Sequence, residues 1–98
     1  MVAVKKNQRA TIANVRQMID AGAGIATSIK AALERNGIPS VSAFALKYRL
    51  NRASVANHLS GFTRPTDGTV NALIAELGGT ANDWRELLWL AGKPVATA

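Results

Sequence analysis

The sequence predicts an all-α fold, a compact bundle of five or six helices, and three observations support this. Apolar residues recur at steps of three and four over most of the chain, as they do on one face of a helix. No stretch alternates apolar and polar residues, so no half-buried strand is expected. Much of the 48% apolar share is alanine, and such small side chains favour closely packed helices.

The chain opens with a basic segment. Residues 1–10 contain Lys5 and Lys6, no acid and no apolar period, so we interpret them as a flexible basic arm. Mobile basic arms can reach DNA phosphates or the minor groove, which makes both lysines candidate phosphate contacts. The alternative is a merely disordered end without a partner.

An extra N-terminal helix is predicted at about residues 11–21, with Thr11 as its cap. Its apolar stripe consists of Ile12, Val15, Met18 and Ile19. Gly22 and Gly24 then interrupt the pattern, which leaves two interpretations, a separate helix or the front of one long kinked helix. The stripe must be covered by the chain's own core or by a second subunit.

The next helix is predicted from Ile25 to Asn36, because Ile29 and Leu33 lie four residues apart and Gly37 follows as a stop. Pro39 prevents any continuation, and Ser40 is placed to cap the helix after it.

Residues 41–61 hold two short apolar patterns with only a tight turn between them. Val41, Phe44, Ala45 and Tyr48 share one face of the first helix. The second helix begins at the cap Asn51, repeats Val55 and Leu59, and stops at Gly61. Leu50 would point inward and fix the angle between the helices. Two short helices joined by such a turn, the second polar outside, are typical of a DNA-binding helix-turn-helix.

Two further helices complete the predicted bundle. Asp67 is predicted to cap the first, whose apolar residues are Val70, Leu73, Ile74 and Leu77. Thr80 and Asp83 resemble a capping box that opens the last helix, which is predicted to run through Ala91. Residues 93–98 would form a loose tail, so the domain would span residues 11–92.

Residues 41–61 resemble the helix-turn-helix of the lambda-repressor-like family, which includes phage repressors, Cro proteins and many small bacterial regulators. The matching positions are Phe44, Ala45, Leu50, Asn51, Val55 and Gly61. The family usually has Gln at the place of Val41, Gly at the place of Arg49 and an apolar residue at the place of His58. Similarity extends less sharply from about Ile25 to Gly92.

The second helix of this motif is the expected recognition helix, at about residues 51–60. If Val55 and Leu59 face inward, the outward set, and hence the candidate base contacts, is Arg52, Ala53, Ala56, Asn57 and Ser60. By the resemblance, Arg52, Ala53 and Asn57 occupy the places that most often meet base edges. Arginine can bind guanine and asparagine can bind adenine through paired hydrogen bonds, although Arg52 has phosphate contact as an alternative role.

Phosphate contacts are expected on both sides of that helix. The candidates are Ser40, Ser42, Asn51, Thr63 and Arg64. The resemblance places Thr63 and Arg64 in a loop that commonly touches the second DNA strand. Lys47 and Arg49 would only add to the positive field, and His58 would be a partly buried packing residue or else a phosphate donor.

Catalysis and cofactor binding are not expected. The chain has no cysteine and one histidine, its acids are expected on polar helix faces, and it has no glycine-rich phosphate loop. The net charge of +6 is concentrated before Pro65, which suits an anionic partner approached from one face. No apolar run reaches the roughly 18 residues of a membrane span, so a cytoplasmic location is expected.

The sequence therefore predicts a sequence-specific regulator that binds double-stranded DNA, of the phage-repressor type. Trp89 and Leu90 lie off the core stripe of the last helix, which comprises Trp84, Leu87, Leu88 and Ala91. Family members commonly dimerise through this helix, so Trp89 and Leu90 are the expected interface of a homodimer. One alternative is an antitoxin that grips a toxin through the stripe at residues 12–19. Another is an accessory DNA-binding protein of recombination.

Overall fold

The structure, a computed structural model, describes residues 9–90, and of Leu90 the backbone only. This part of the chain contains six α-helices and no strand, which confirms the all-α prediction. The helices are α1 (Ile12–Asp20), α2 (Ile25–Arg35), α3 (Val41–Lys47), α4 (Arg52–Leu59), α5 (Asp67–Leu77) and α6 (Ala81–Arg85). A π-helical turn, Glu86–Leu90, continues from α6. The predicted roles of Lys5, Lys6, Ala91 and the tail lie outside the described residues.

Small polar residues begin several helices, as their chemistry predicts. The Ser40 hydroxyl accepts the Ala43 N–H at 3.0 Å, and a reciprocal pair of hydrogen bonds joins Thr80 and Asp83 at 2.9 and 3.1 Å. The prediction for α5 was wrong by one residue, because Thr66 is its N-cap and Asp67 lies in the first turn. Asp67 remains favourable there, since its charge opposes the positive end of the helix dipole.

Helix α1 is a separate helix that packs on the chain's own core. The chain leaves α1 through Gly22, whose φ is 104°, and reverses onto α2. Val15 is fully buried, while Ile12, Met18 and Ile19 are partly buried against the core. The stripe predicted for this helix is therefore largely covered within one chain.

The core is formed by side chains from all six helices and from the π-helical turn. Its largest fully buried side chains are Trp84, Phe44, Ile29, Leu33, Leu59, Leu73, Leu77 and Leu88. The Trp84 indole donates to the Gly78 carbonyl oxygen at 2.7 Å, so its one polar atom is satisfied on burial. Trp84, Leu87 and Leu88 are all buried, as predicted, although the segment is not one continuous α-helix to Ala91.

Candidate nucleic-acid interface

Helices α3 and α4 are joined by a turn that closes without glycine. The Leu50 N–H donates to the Ala45 carbonyl at 2.8 Å and the Arg49 N–H to Leu46 at 3.3 Å, a pair of bonds that ends α3. This places Arg49 at a φ of 56°, the left-handed region that glycine adopts more easily. Leu50 is partly buried against the core, so it holds the corner inward as predicted.

Helix α4 has the orientation that the apolar pattern predicts. Val55 and Leu59 are buried. The five residues predicted to face outward, Arg52, Ala53, Ala56, Asn57 and Ser60, are all exposed. The exposed face therefore carries one cation, one amide, small side chains and no acid.

His58 anchors α4 from within. Its side chain is only 5% exposed, and its Nδ1 lies 2.8 Å from the hydroxyl of the buried Thr69 on α5. Burial lowers the pKa of His58 below its ordinary value, because the charged imidazolium would lose its hydration. His58 is therefore a packing residue, as expected, and does not belong to the exposed face of α4.

Two of the predicted contact residues touch each other. The Arg52 Nε donates to the Ser42 hydroxyl at 2.8 Å, which links the start of α4 to α3. The bond uses Nε alone, so the two terminal nitrogens of the guanidinium make no hydrogen bond to any described residue. The Arg52 side chain is thus fixed through Nε, while its two terminal nitrogens can still donate hydrogen bonds to a ligand.

The other candidate contacts divide into residues with structural roles and residues in the exposed loop. Asn51 accepts the Ser54 N–H at 2.9 Å as the α4 cap, and Ser60 donates to the Asn57 carbonyl at 3.1 Å. Any contact from Asn51 would therefore use its amide nitrogen. Thr63 and Arg64 are exposed in the loop after α4.

Sequence reasoning missed a buried carboxylate beside this motif. Glu76 on α5 was expected on a polar face, but its side chain is 1% exposed. It accepts from Arg9 at 2.6 Å, from Lys47 at 2.7 Å and from the Tyr48 hydroxyl at 2.7 Å. The available signal was position, because residue 76 lies three after Leu73 and so falls within the apolar stripe of α5.

The contacts within this cluster shift the pKa values of Glu76 and Tyr48. Burial opposes ionisation of Glu76, but the hydrogen bonds from Lys47 and Tyr48 and the charges of Lys47 and Arg9 outweigh it and lower its pKa. Burial, together with the hydrogen bond to the Glu76 carboxylate, raises the pKa of Tyr48 to about 12. Glu76 is therefore an anion that fixes the end of α3 to α5.

The cluster also changes which cations are available on the helix-turn-helix. Lys47 is paired with Glu76, which it shares with Arg9, whereas Arg49, Arg52 and Arg64 have no salt bridge to any described acid. Residues 36–66 contain no Asp or Glu at all. The surface built by α3, α4 and the following loop is therefore a positive one.

Two large apolar side chains stand out on the same part of the chain. Leu46 is 81% exposed and Phe62 is 79% exposed.

Trp89, one of the two predicted dimer residues, is half-buried and lines a cleft with Pro65 and Arg85. The side chain of Leu90, the other predicted dimer residue, lies outside the described part of the chain.

Comparison with protein-family models, with curated protein sequences and with solved structures found no match. Among residues 9–90, no three His, Cys, Asp or Glu side chains gather into a set able to hold a metal ion. None of the helices in that range is long and apolar enough to cross a membrane. The features that bear on function are the geometry and charge of α3, α4 and the loop after them.

Proposed function

We propose that this protein is a sequence-specific regulator of transcription that binds double-stranded DNA, of the phage-repressor type. Helix α4 would lie in the major groove, which is wide enough to admit one helix. The observation that carries the proposal is the exposed face of α4, which combines Arg52 and Asn57 with small residues on a surface without acids.

Base readout would come from the two side chains with paired polar groups. The terminal nitrogens of Arg52 match the O6 and N7 acceptors of guanine, and the amide of Asn57 matches the N6 and N7 edge of adenine. The bond from Arg52 Nε to Ser42 supports this role, because a stem that is already fixed loses less entropy on binding. Ala53 and Ala56 would let the helix come close or contact thymine methyl groups, and Ser60 would lie at its far end.

Phosphate contacts would flank α4 and set its register. On the loop side they would come from Thr63 and Arg64, which are exposed. Before α4 they would come from Ser40, Ser42 and the Asn51 amide. Lys5 and Lys6 of the basic arm would add contacts that follow the DNA backbone.

A homodimer would give such a small reader useful affinity. Pairing through Trp89 and Leu90 would set two recognition helices about one DNA turn, roughly 34 Å, apart. The proposal places the protein in the cytoplasm, where a repressor of this type meets its DNA.

Selection of bound duplexes from a random DNA pool tests the proposal most directly. A regulator of this kind should enrich one short motif, repeated with two-fold symmetry if the protein dimerises. A selected pool as diverse as the starting pool would reject sequence-specific binding. A pool that showed no retention at all would reject DNA binding.

An antitoxin role is less well supported by the structure. That alternative needs an exposed apolar strip on α1, yet Val15 is fully buried and Ile12, Met18 and Ile19 pack against the core. Purification of the chain from its native host would separate the two, since an antitoxin should bring a small protein with it.

A further inference from the structure

Helices α1 to α4 all end in the same hydrogen-bonded motif. In each, an N–H two residues beyond the cap donates to a carbonyl five residues earlier, at 3.0 Å for Ala23, 2.8 Å for Ile38, 2.8 Å for Leu50 and 2.9 Å for Phe62. The motif requires a residue of positive φ just before that donor. These residues are Gly22 at 104°, Gly37 at 88°, Arg49 at 56° and Gly61 at 78°.

Arg49 is therefore the exception within a repeated design. It is the one non-glycine residue between residues 9 and 90 with a positive φ. Glycine would adopt this conformation without the steric cost that a Cβ brings, and the other three turns show that glycine serves the same hydrogen bonds. Backbone geometry thus favours glycine over arginine here, so any advantage of arginine lies in its side chain.

The side chain of Arg49 has no structural role in the described chain. It is exposed and makes no hydrogen bond or salt bridge to any described residue. Its neighbours differ, since Lys47 is bonded to Glu76 at 2.7 Å and Arg52 to Ser42 at 2.8 Å. Arg49 therefore presents an uncompensated positive charge at the corner immediately before α4.

We infer that Arg49 binds a DNA phosphate at the edge of the groove that α4 enters, an inference that rests on the proposed function. A helix that enters the major groove with its first turn brings the preceding corner within an arginine's reach of the sugar-phosphate backbone. The guanidinium fork matches two phosphate oxygens, which also fixes orientation. Arg49 would thus supply a charge at this corner that glycine, although better suited to the left-handed backbone conformation, could not supply.

Substitutions at this corner separate the charge from the backbone. Arg49→Gly and Arg49→Asn remove the charge while keeping residues that tolerate positive φ, and Arg49→Lys keeps the charge. Binding to a short duplex of random sequence is measured over a series of salt concentrations. Both neutral variants should bind more weakly, and their slope of log affinity against log salt should be less steep by roughly one. The lysine variant should keep the wild-type slope.

Arg35→Gln is the matched control. Arg35 is also exposed without a described salt bridge, but it lines a groove with Asn14 and Met18 of α1, and no residue of α3 or α4 lines that groove. Its slope should equal that of the wild type. The urea midpoint of Arg49→Gly should equal or exceed the wild-type midpoint, which shows that weaker binding does not come from unfolding.

A failure of the Arg49 contact can be distinguished from a failure of the proposed function. If the wild type binds the duplex with a strong salt dependence and both neutral variants keep its slope, the role of Arg49 is wrong while the proposed function stands. If Arg35→Gln lowers the slope as much as Arg49→Gly does, the effect is one of net charge and the specific contact is rejected. If the wild type binds no duplex at any salt concentration, the proposed function fails and the inference fails with it.

Discussion

Glu76 holds three partners that are distant from it in sequence. Arg9, Lys47 and Tyr48 lie 67, 29 and 28 residues away, and all donate to this one carboxylate. The two cations are about half exposed, so they keep part of their hydration while the buried anion depends on them. A single carboxylate thereby joins α5 to the end of α3 and to the residue where the described chain begins.

Glu76→Gln should destabilise the fold by about 1–3 kcal/mol, since a neutral amide leaves buried polar atoms poorly matched to two cations. Urea unfolding near neutral pH measures this, with the exposed Glu34→Gln on α2 as the control that should change little. The folded pKa of Glu76 lies below its ordinary value of 4.5, so its stabilisation is present above that pH and is lost as the pH falls through the folded value. A variant that unfolds with the wild-type acid profile would contradict this role.

His58 gives the protein a second pH dependence, of known sign. Its folded pKa lies below the ordinary value of 6.5 because of burial, so the unfolded chain takes up a proton first as the pH falls. The stability from neutral His58 is therefore complete above about pH 6.5 and declines below it. Because the chain has one histidine, a single imidazole resonance reports its pKa directly. A measured pKa at or above 6.5 would contradict the burial of the ring.

Arg52 and Asn57 provide the residue-scale test of base readout. Arg52→Ala and Asn57→Ala should each cost about 1–3 kcal/mol on the best site and leave binding to random sequence almost unchanged. Competition binding between a selected site and random duplex measures both quantities together. Two variants that retain the wild-type sequence preference would mean that α4 is not the recognition helix.

At the scale of elements, the predictable features are those that local chemistry determines. Ser40, Asn51 and the pair Thr80–Asp83 begin helices as expected, because their hydrogen bonds span only three residues. The outward face of α4 follows from Val55 and Leu59 in the same way. Glu76 was misplaced because its environment depends on residues at least 28 positions away. The change from α-helix to a π-helical turn at Glu86 has no signal in the apolar pattern that we can identify.

Helix α1 approaches the junction between α5 and α6 closely at Gly79. A Cβ added at Gly79 would lie 2.8 Å from Ile12 Cδ1, whereas one at Gly78 would meet nothing within 4 Å. Both glycines have nearly equal positive φ, at 78° for Gly78 and 83° for Gly79. Because the ψ of Gly78 is −161°, the backbone cost can differ between the two positions, and only a change at Ile12 isolates the cost of the clash.

Gly79→Ala should carry a clash cost of about 1 kcal/mol that Gly78→Ala lacks, toward the lower end for overpacking because the methyl end of Ile12 can move. Urea unfolding of both variants measures the difference. Repeating the pair in an Ile12→Val background, which lacks Cδ1, should remove most of the clash cost. A difference between the two glycines that is the same in both backgrounds would show that Ile12 does not pack against this junction.

At the scale of the whole molecule, the charges are arranged so that one side remains positive. Arg16 pairs with Asp83 at 3.1 Å and Arg85 with Asp67 at 2.6 Å, so these two acids, like Glu76, are matched within the fold. Arg49, Arg52 and Arg64 have no such acid among the described residues. An excess of unmatched cations around α3 and α4 favours association with an anionic polymer from that side.

Self-association is the property on which the proposed mode of DNA binding depends most. A single domain reads a few base pairs and binds weakly, so two linked copies are needed for useful affinity. Trp89 is half-buried in a cleft with Pro65 and Arg85, and it is the described member of the proposed interface. Phe62, which is 79% exposed, provides a control aromatic residue outside the proposed interface.

Sedimentation at micromolar concentration without DNA should show a wild-type dimer, and Trp89→Ala should shift it toward monomer because an interface aromatic commonly carries much of the binding energy. Phe62→Ala should leave the dimer intact. If Phe62→Ala dissociates it and Trp89→Ala does not, the copies pair through the surface after α4 instead. A wild-type protein that is monomeric and binds a non-palindromic site one to one would reject the dimer. Base readout by α4 would then have to rest on a single copy, with affinity supplied mainly by its phosphate contacts.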